Sequence, residues 1–591
     1  MISSIFSRKV IFDSRLPLLF LILSLVLYKI YLLEINSRAI FNCYWCLAGK
    51  AIFFELQFVI LLGTIHLLAG FSRWNWLRGI LRLTVIAALI IMAIDLMVLQ
   101  QFLVRFTLHE FSRFISEFNA IMDFLKQLLA NPLNAVFSAV VILAILGIFS
   151  RYLMDDHVTA RSPVFLACFG FCIVGFQFLK PVEYHTPYLQ NSIEAFFSTQ
   201  TRNRPYSENF TRKISEESNG QLQCYAGKGA RPDLILLVVE SLSMYHSALL
   251  SGINNWLPQF DNLSQKGRWF SNFYANGVNT EQGLIALHIG EPPIAKSIDG
   301  SSGTGSSTTY LFEQFLDPKD SLPWMLNELG YHTVFLTTGN LGFLSKGKWL
   351  KNIGYDYIQG HDAPYYTGMK RFHFDAPSDG ALYDRALQEL VAHNKNKEMP
   401  IFMTLETVST HHPFIDPESG AQSEELTFRY ADRQLGRFVK NLISNGFFDN
   451  GYLMIVSDHR AMVPMNQSEI DRFGNRAYTR IPFTIVGHGM DDGEESNYFS
   501  QSDLLPSLRH WLDKSYQCVN SNQGIFLPRT TQSPACIFTH RSYNLDNVYI
   551  HCGTENYTIN LNGDHTSYID SNRPSTDFLE IIHRLRLGKG Y

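Results

Sequence analysis

The chain reads as two parts of different class: a polytopic α-helical membrane domain with five spans, then a water-soluble α/β domain with a mainly parallel central sheet. Three observations predict this. Long apolar stretches dominate the first 180 residues, whereas the remainder has ordinary globular composition. Beyond residue 231, apolar runs of strand length alternate with segments of helical period, the pattern of a parallel sheet with helices on both sides. Two of those runs, DLILLVVES (233–241) and YLMIVSDHR (452–460), are continuously apolar and finish on charged residues. Such runs suit strands buried on both faces, with the charged groups at the C-terminal edge where open α/β sheets bind ligands.

The chain's 591 residues exceed one domain, and its net charge of -4 provides no bulk attraction for nucleic acid, so no nucleic-acid partner is expected. In the membrane domain, 1–180, the spans fall at 16–33, 52–70, 80–103, 133–149 and 163–179. A bilayer crossing needs about 20 apolar residues. The first stretch lacks a small-residue cleavage site, and Tyr28, Lys29 and Tyr31 crowd its end, so it reads as a span rather than a cleaved signal. Arg8, Lys9 and Arg15, then Arg73, Arg78 and Arg82, then Arg151 and Arg161 fall on one side of a five-span bundle. The positive-inside rule makes that side cytoplasmic and places the C-terminal domain outside, although Arg105, Arg113 and Lys126 dilute the asymmetry. In segment 105–130, Phe111, Phe114, Ile115, Phe118 and Met122 recur at helical spacing, predicting an amphipathic helix on the outer membrane surface or against the bundle. Residues 181–230 are polar, contain Pro181, Pro187 and Pro205, and read as a stalk.

Cysteine usage agrees with export. Cys43 and Cys46 form a CxxC without the βαβ context of a redox enzyme, and Cys168 and Cys172 lie in the fifth span. Cys224, Cys518, Cys536 and Cys552 permit two disulfides, with three possible pairings.

The soluble domain, 231–515, has strand patterns at 234–240, 269–275, 332–338, 401–407, 452–457 and 483–486. Helical patterns lie between them, including 384–394 and 425–445, the latter with Tyr430, Leu435, Phe438, Val439 and Leu442 on one face. The low-complexity run 300–309 reads as a loop. The tail, 516–591, carries short strand-like pieces at 547–551 and 557–561, expected to form a small antiparallel subdomain.

Glu240, Asp458 and His459 stand at predicted strand ends, and Thr280 lies in the polar segment NGVNTEQG (276–283). Carboxylates and imidazole suit a divalent ion such as Mn²⁺, Mg²⁺ or Zn²⁺. A threonine hydroxyl is a poor nucleophile until a metal or base lowers its pKa. A metal site with a built-in hydroxyl fits phosphoryl transfer through a covalent phosphothreonine.

The order VVES, then NT followed by Gly283, then TVSTHHPF (407–414), then VSDH resembles the sulfatase-like branch of the alkaline phosphatase superfamily. Within it the chain resembles lipoteichoic acid synthases and related phosphoglycerol transferases, with NIGYD (352–356), the 380–387 segment and SQSDLLPSL (500–508) as further matching pieces. The resemblance implies that Glu240, Asp458 and His459 are metal ligands, and that Thr280 is both ligand and nucleophile. It implies an active-site role for His411, favoured over its neighbour His412 by the following Pro413 and Phe414. Where the synthases have a Trp and an Arg against the phosphoglycerol, this chain has Leu344 and Lys346. Lys346 is then expected to meet phosphate as a point charge, and Trp349 to supply the aromatic group from a shifted loop. The C/S-x-P-x-R motif of true sulfatases is absent at Thr280.

The expectation is therefore a phosphoglycerol transferase in a bacterial inner membrane, with its catalytic domain on the periplasmic side. One divalent ion, Mn²⁺ before Mg²⁺ or Zn²⁺, would serve transfer from phosphatidylglycerol to an envelope glycan or polymer, with release of diacylglycerol. A phosphoethanolamine transferase acting on lipid A or another glycan is the enzyme alternative. An inactive sulfatase-like membrane scaffold is the alternative from another class.

Overall fold

The computed structural model describes residues 15–41, 46–102, parts of 105–153, 191–197 and 223–224. It then describes most of 231–513, save 295, 297–310, 317–320, 396–398 and 464, and parts of 518–587. The chain divides into two compact units, Met1–Thr199 and Gln200–Tyr591.

The first unit contains α1 (Arg15–Phe41), α2 (Cys46–Phe71) and α3 (Asn75–Phe102). Two described stretches are long and apolar enough to cross a bilayer, Pro17–Glu34 and Asn75–Leu99, and a shorter apolar stretch, Phe54–His66, lies in α2. The expected spans at 16–33 and 80–103 overlap these two stretches, and the one at 52–70 overlaps the shorter stretch. The spans at 133–149 and 163–179, and the amphipathic helix at 105–130, fall almost entirely outside those residues. The apolar helices carry charges that the hydropathy pattern did not explain. Lys29 is buried against Glu55. Buried Asp95 accepts from Arg105 Nη2 at 2.7 Å, from the Phe106 N–H at 2.8 Å and from Ser192 Oγ at 2.8 Å. Charges persist in apolar surroundings when each meets an opposite charge or a donor, and these do.

The second unit is built on an eight-stranded sheet. Its strands are β1 (Asp233–Val239), β2 (Arg268–Phe270), β3 (His332–Thr337), β4 (Tyr357–Gln359), β5 (Ile401–Glu406), β6 (Gly451–Ser457), β7 (Phe483–Gly487) and β8 (Gly493–Glu495). The spatial order is β8-β2-β7-β6-β1-β5-β3-β4. The block β6-β1-β5-β3-β4 is parallel, and β7 runs antiparallel to both β6 and β2. β1 shows why its sequence is apolar throughout: Leu234, Leu236 and Val238 face one core, and Ile235, Leu237 and Val239 face the other. Helix α4 (Thr280–Ile289) contributes Leu284, Ile285, Leu287 and Ile289 to the first core. Helices α5 (Asp379–Lys395) and α6 (Glu424–Ser444) cover the second. The run expected as one strand at 269–275 breaks into β2 and a separate strand, Phe273–Tyr274, while β4 and β8 are three-residue strands with no legible period.

The tail forms a four-stranded antiparallel sheet of β9 (Cys536–Thr539), β10 (Asn547–Cys552), β11 (Glu555–Asn560) and β12 (Ser567–Tyr568). Helix α8 comes later in the chain than α7 (Leu504–Leu512) and spans Phe578–Arg586; its Phe578, Ile582 and Leu585 share a core with Phe538, Val548 and Ile559. Cys536 and Cys552 stand opposite one another in β9 and β10 and are disulfide-bonded. Cys224 and Cys518 are likewise register partners, in a separate two-stranded pairing.

Candidate active site

β1 and β6 are adjacent and parallel, so residues just past their C-terminal ends must converge. Glu240 follows β1, and Asp458 and His459 follow β6. Ser241 takes a left-handed conformation, φ 58°, and turns the chain sharply. The turn aims the Ser241 N–H at Asp458 Oδ1, 2.9 Å away, and Ser241 Oγ donates to Glu240 Oε1 at 2.8 Å. From the loop after β5, Thr407 Oγ1 accepts from the Glu240 N–H at 3.0 Å, and Thr410 Oγ1 donates to the Glu240 carbonyl at 2.6 Å.

Thr280 is the first residue of α4. Asn279 caps the helix by accepting from the Gln282 N–H at 2.9 Å, which places the Thr280 hydroxyl at the positive end of the helix dipole. Its Oγ1 donates to Glu240 Oε2 at 3.1 Å and lies 3.5 Å from His459 Nε2. Gly283 is obligatory, since a β-carbon there would lie 2.2 Å from the Asp458 carbonyl oxygen. The absence of that carbon lets α4 rest directly on the Asp458 turn.

The three ligating residue types fit a cation. One donor atom each from Glu240, Asp458 and His459 lies within 4.8 Å of the other two, and all three residues are buried. Asp458 Oδ2 is buried and, apart from the neighbouring His459 ring nitrogen, meets no donor among the described residues, an arrangement that a bound cation would satisfy. His459 Nδ1 donates to the Arg460 carbonyl at 2.8 Å, so the ring turns Nε2 towards the carboxylates, 3.4 Å from Glu240 Oε1 and 3.2 Å from Asp458 Oδ2. Burial alone would raise the Glu240 carboxyl, but the hydrogen bond and charge of His459, with Asp458 and Ser241, hold it below the usual range. Burial would lower His459, but Asp458 and Glu240 raise it well above the ordinary histidine value. The field at this point favours positive charge.

His411 stands apart from that cluster but close enough to feel the charges of His459 and Asp458. Its Nδ1 donates to the His412 carbonyl at 2.6 Å, and the edge of Phe374 packs on its ring at 4.6 Å between centroids. Burial pushes its pKa down to about 4, so the ring is neutral at pH 7. Asp379 fixes the loop that carries it. Its Oδ1 accepts from the Val408 and Ser409 N–H groups, both at 3.0 Å, and its own N–H donates to Ser409 Oγ at 3.0 Å. Sequence reasoning passed over Asp379, Thr407 and Thr410. An Asp beside a Gly at a helix start is the ordinary mark of a turn, and only the fold brings it to the 407–411 loop.

One expected substrate contact, Trp349, is corrected, and the other, Lys346, has a carboxylate partner. Trp349 is 1% exposed, its Nε1 donates to the Phe315 carbonyl at 2.9 Å and its ring stacks on Phe312 at 4.3 Å, so it belongs to the core and does not face a substrate. Lys346 Nζ lies 2.7 and 2.6 Å from the two oxygens of Glu406, at the end of β5. A phosphate there would share the cation with Glu406. Leu344 and Ser345 both take left-handed backbone, φ 56° and 57°, which redirects this loop in a way residue counting could not anticipate.

Residues 232–514 match the family model described as Sulfatase. The chain is 26% identical over 334 residues to lipoteichoic acid synthase 1 of Bacillus subtilis (strain 168), covering 51% of this chain and 48% of that protein. It is 22% identical over 326 residues to the lipoteichoic acid synthase of Staphylococcus aureus (strain bovine RF122 / ET3-1), with the same coverage of 51% and 48%. The chain thus spans about half the length of the curated relatives it matches. Among solved structures, the lipoteichoic acid synthase LtaP from Listeria monocytogenes is 19% identical, with 64% of this chain and 96% of that chain covered and a TM-score of 0.47.

Proposed function

Since the chain is a lipoteichoic acid synthase-like member of the alkaline phosphatase superfamily, we propose that it is a membrane-anchored phosphoglycerol transferase working through a phosphothreonine at Thr280. The observation that carries the reading is the Thr280 hydroxyl at a helix N-terminus, 3.1 Å from Glu240 and 3.5 Å from His459. The donor would be phosphatidylglycerol, and the acceptor a hydroxyl of an envelope glycan or polymer. Glu240, Asp458 and His459, with Thr280 Oγ1, would hold one divalent ion, and Mn²⁺ suits this oxygen-rich set with one imidazole. Such an ion, when bound, lowers the pKa of the hydroxyl and offsets phosphate charge.

The residues then divide the work. Thr280 Oγ1 attacks the phosphorus of the donor; the Oγ–P bond forms and the bond from phosphorus to the diacylglycerol oxygen breaks. The proton lost from Thr280 passes first towards Glu240 and ends, by exchange with solvent, on the diacylglycerol oxygen. In the second half, the acceptor hydroxyl attacks the phosphothreonine, the Thr280 Oγ–P bond breaks, and the acceptor's proton is returned to Thr280. Neutral His411 is suited to take that proton on Nε2, because its Nδ1–H is engaged with the His412 carbonyl. The dipole of α4 stabilises negative charge on Thr280 Oγ1 as the bond breaks.

Purified full-length protein with Mn²⁺ should release diacylglycerol from phosphatidylglycerol vesicles, and Thr280→Ala should reduce release to background. Unchanged release by Thr280→Ala contradicts the nucleophile. Consumption of phosphatidylethanolamine in place of phosphatidylglycerol moves the reading to phosphoethanolamine transfer.

A further inference from the structure

Two buried amides outside the reacting cluster connect its two halves. Gln501, 0% exposed, is fully engaged. Its Nε2 donates to the carbonyls of Ser457, at 2.8 Å, and Asp458, at 2.6 Å, while its Oε1 accepts from the Asn276 N–H at 3.0 Å. Asn276 is as tightly held. Its Oδ1 accepts from the Ser502 N–H at 3.0 Å, its Nδ2 donates to the Phe538 carbonyl at 2.8 Å, and its own carbonyl accepts from the His540 N–H at 3.0 Å.

Gln501 therefore grips the turn that presents Asp458 and His459, and Asn276 begins the segment that presents Thr280. Phe538 and His540 belong to or adjoin β9, the first strand of the C-terminal sheet. The Asp458 carbonyl is held from a second side by α4, through the close approach at Gly283. No other residue type of this size satisfies the pattern at 501. Two carbonyls require two donors from one side chain, and the Asn276 N–H requires an acceptor on the same group.

The geometry points to Gln501 and Asn276 as positioning residues that set the distance between the Thr280 segment and the Asp458–His459 turn, with the C-terminal sheet as their outer support. They touch neither the reacting hydroxyl nor the ligand atoms; they act through the backbone that carries them. The inference rests on the reading of Glu240, Asp458 and His459 as a cation site, not on the identity of the lipid.

The test uses the full chain in detergent, with Mn²⁺ alone as the probe. Gln501→Leu leaves two buried carbonyls without donors. Asn276→Asp keeps the acceptor for Ser502 but replaces the donor to Phe538 with a second acceptor on a buried carboxyl. Partners that orient a metal site from outside its ligands cost about 10- to 100-fold in metal affinity when replaced. Gln501→Leu is expected near the upper part of that range and Asn276→Asp at about 10-fold, with folding checked by thermal melting of each variant. If Gln501→Leu does not fold, Asn276→Asp decides. Mn²⁺ dissociation constants within about twofold of the parent in folded variants would overturn the inference. A weakened Gln501→Leu beside an unchanged Asn276→Asp would overturn the part played by the C-terminal sheet. Loss of Mn²⁺ affinity in a protein that ignores phosphatidylglycerol would leave this inference standing and remove the proposed function.

Discussion

A threonine hydroxyl in water is a weak nucleophile, so the question at the scale of single residues is what surrounds Thr280. The helix dipole of α4, the Glu240 carboxylate and the His459 ring all act on it, and Asn279 secures the turn that brings them together. Thr280→Ser keeps the oxygen, the cap and the dipole, so it should retain measurable turnover where Thr280→Ala has none. His411 offers a test through pH. Its folded pKa is about 4 because burial disfavours the cation, against an ordinary value of 6.5 in an unfolded chain. The unfolded state therefore binds more protons between those values, and stability must fall as pH drops from 6.5 towards 4. Chemical denaturation across that window should show the slope in the parent protein and a shallower one in His411→Gln. An identical slope would mean that His411 is not buried as a neutral ring. At this scale, Glu240, Asp458, His459 and Thr280 were legible because the first three terminate or follow buried apolar runs and the fourth lies in a polar segment of small residues. Trp349 was misplaced because two consecutive left-handed residues, Leu344 and Ser345, steer the loop before it, and sequence counting assumes an ordinary path.

At the scale of elements, the site depends on how closely α4 approaches the end of β6. Gly283 sits at that contact, and a β-carbon would meet the Asp458 carbonyl oxygen at 2.2 Å. Gly283→Ala must push the helix or the turn aside. It is expected to weaken Mn²⁺ binding by at least about tenfold, as read by metal titration of the folded protein. Unchanged affinity would show that the approach is not a constraint on the site. The central strand makes a complementary prediction about stability. Leu236 is wholly buried in the first core, so Leu236→Ala should cost about 2–5 kcal/mol in denaturant unfolding of the full chain. The parallel strands were readable because burial on both faces demands apolar residues at every position. β4 and β8 were not, since three residues carry no period, and the break after Phe270 falls at Ser271 and Asn272, a polar pair that the expected strand ran through.

At the scale of the whole molecule, the proposal requires a lipid donor and an active site outside the cytoplasm. The two candidate spans agree with a membrane anchor, and the disulfide between Cys536 and Cys552 agrees with an oxidising compartment. Peptide mapping of protein taken from membranes under non-reducing, thiol-blocked conditions should recover Cys536 joined to Cys552. Both thiols alkylated in the native membrane would argue for a cytoplasmic domain. The two-part organisation showed in composition alone, because bilayer and water select opposite surfaces. The number of spans did not follow as securely, since an apolar stretch of about 17 residues serves equally as a short span or a buried helix. Charges such as Asp95 were also illegible, for their partners Arg105 and Ser192 lie far along the chain or beyond the span.

The covalent step at Thr280 is best tested by trapping it. Full-length protein incubated with Mn²⁺ and phosphatidylglycerol, without acceptor, is quenched in acid, digested and analysed by mass spectrometry. A single glycerophosphoryl group on the peptide containing Thr280, absent from Thr280→Ala and discharged when acceptor is added, is the predicted result. Diacylglycerol release with an unmodified Thr280 peptide, or the same group on another residue, would contradict it.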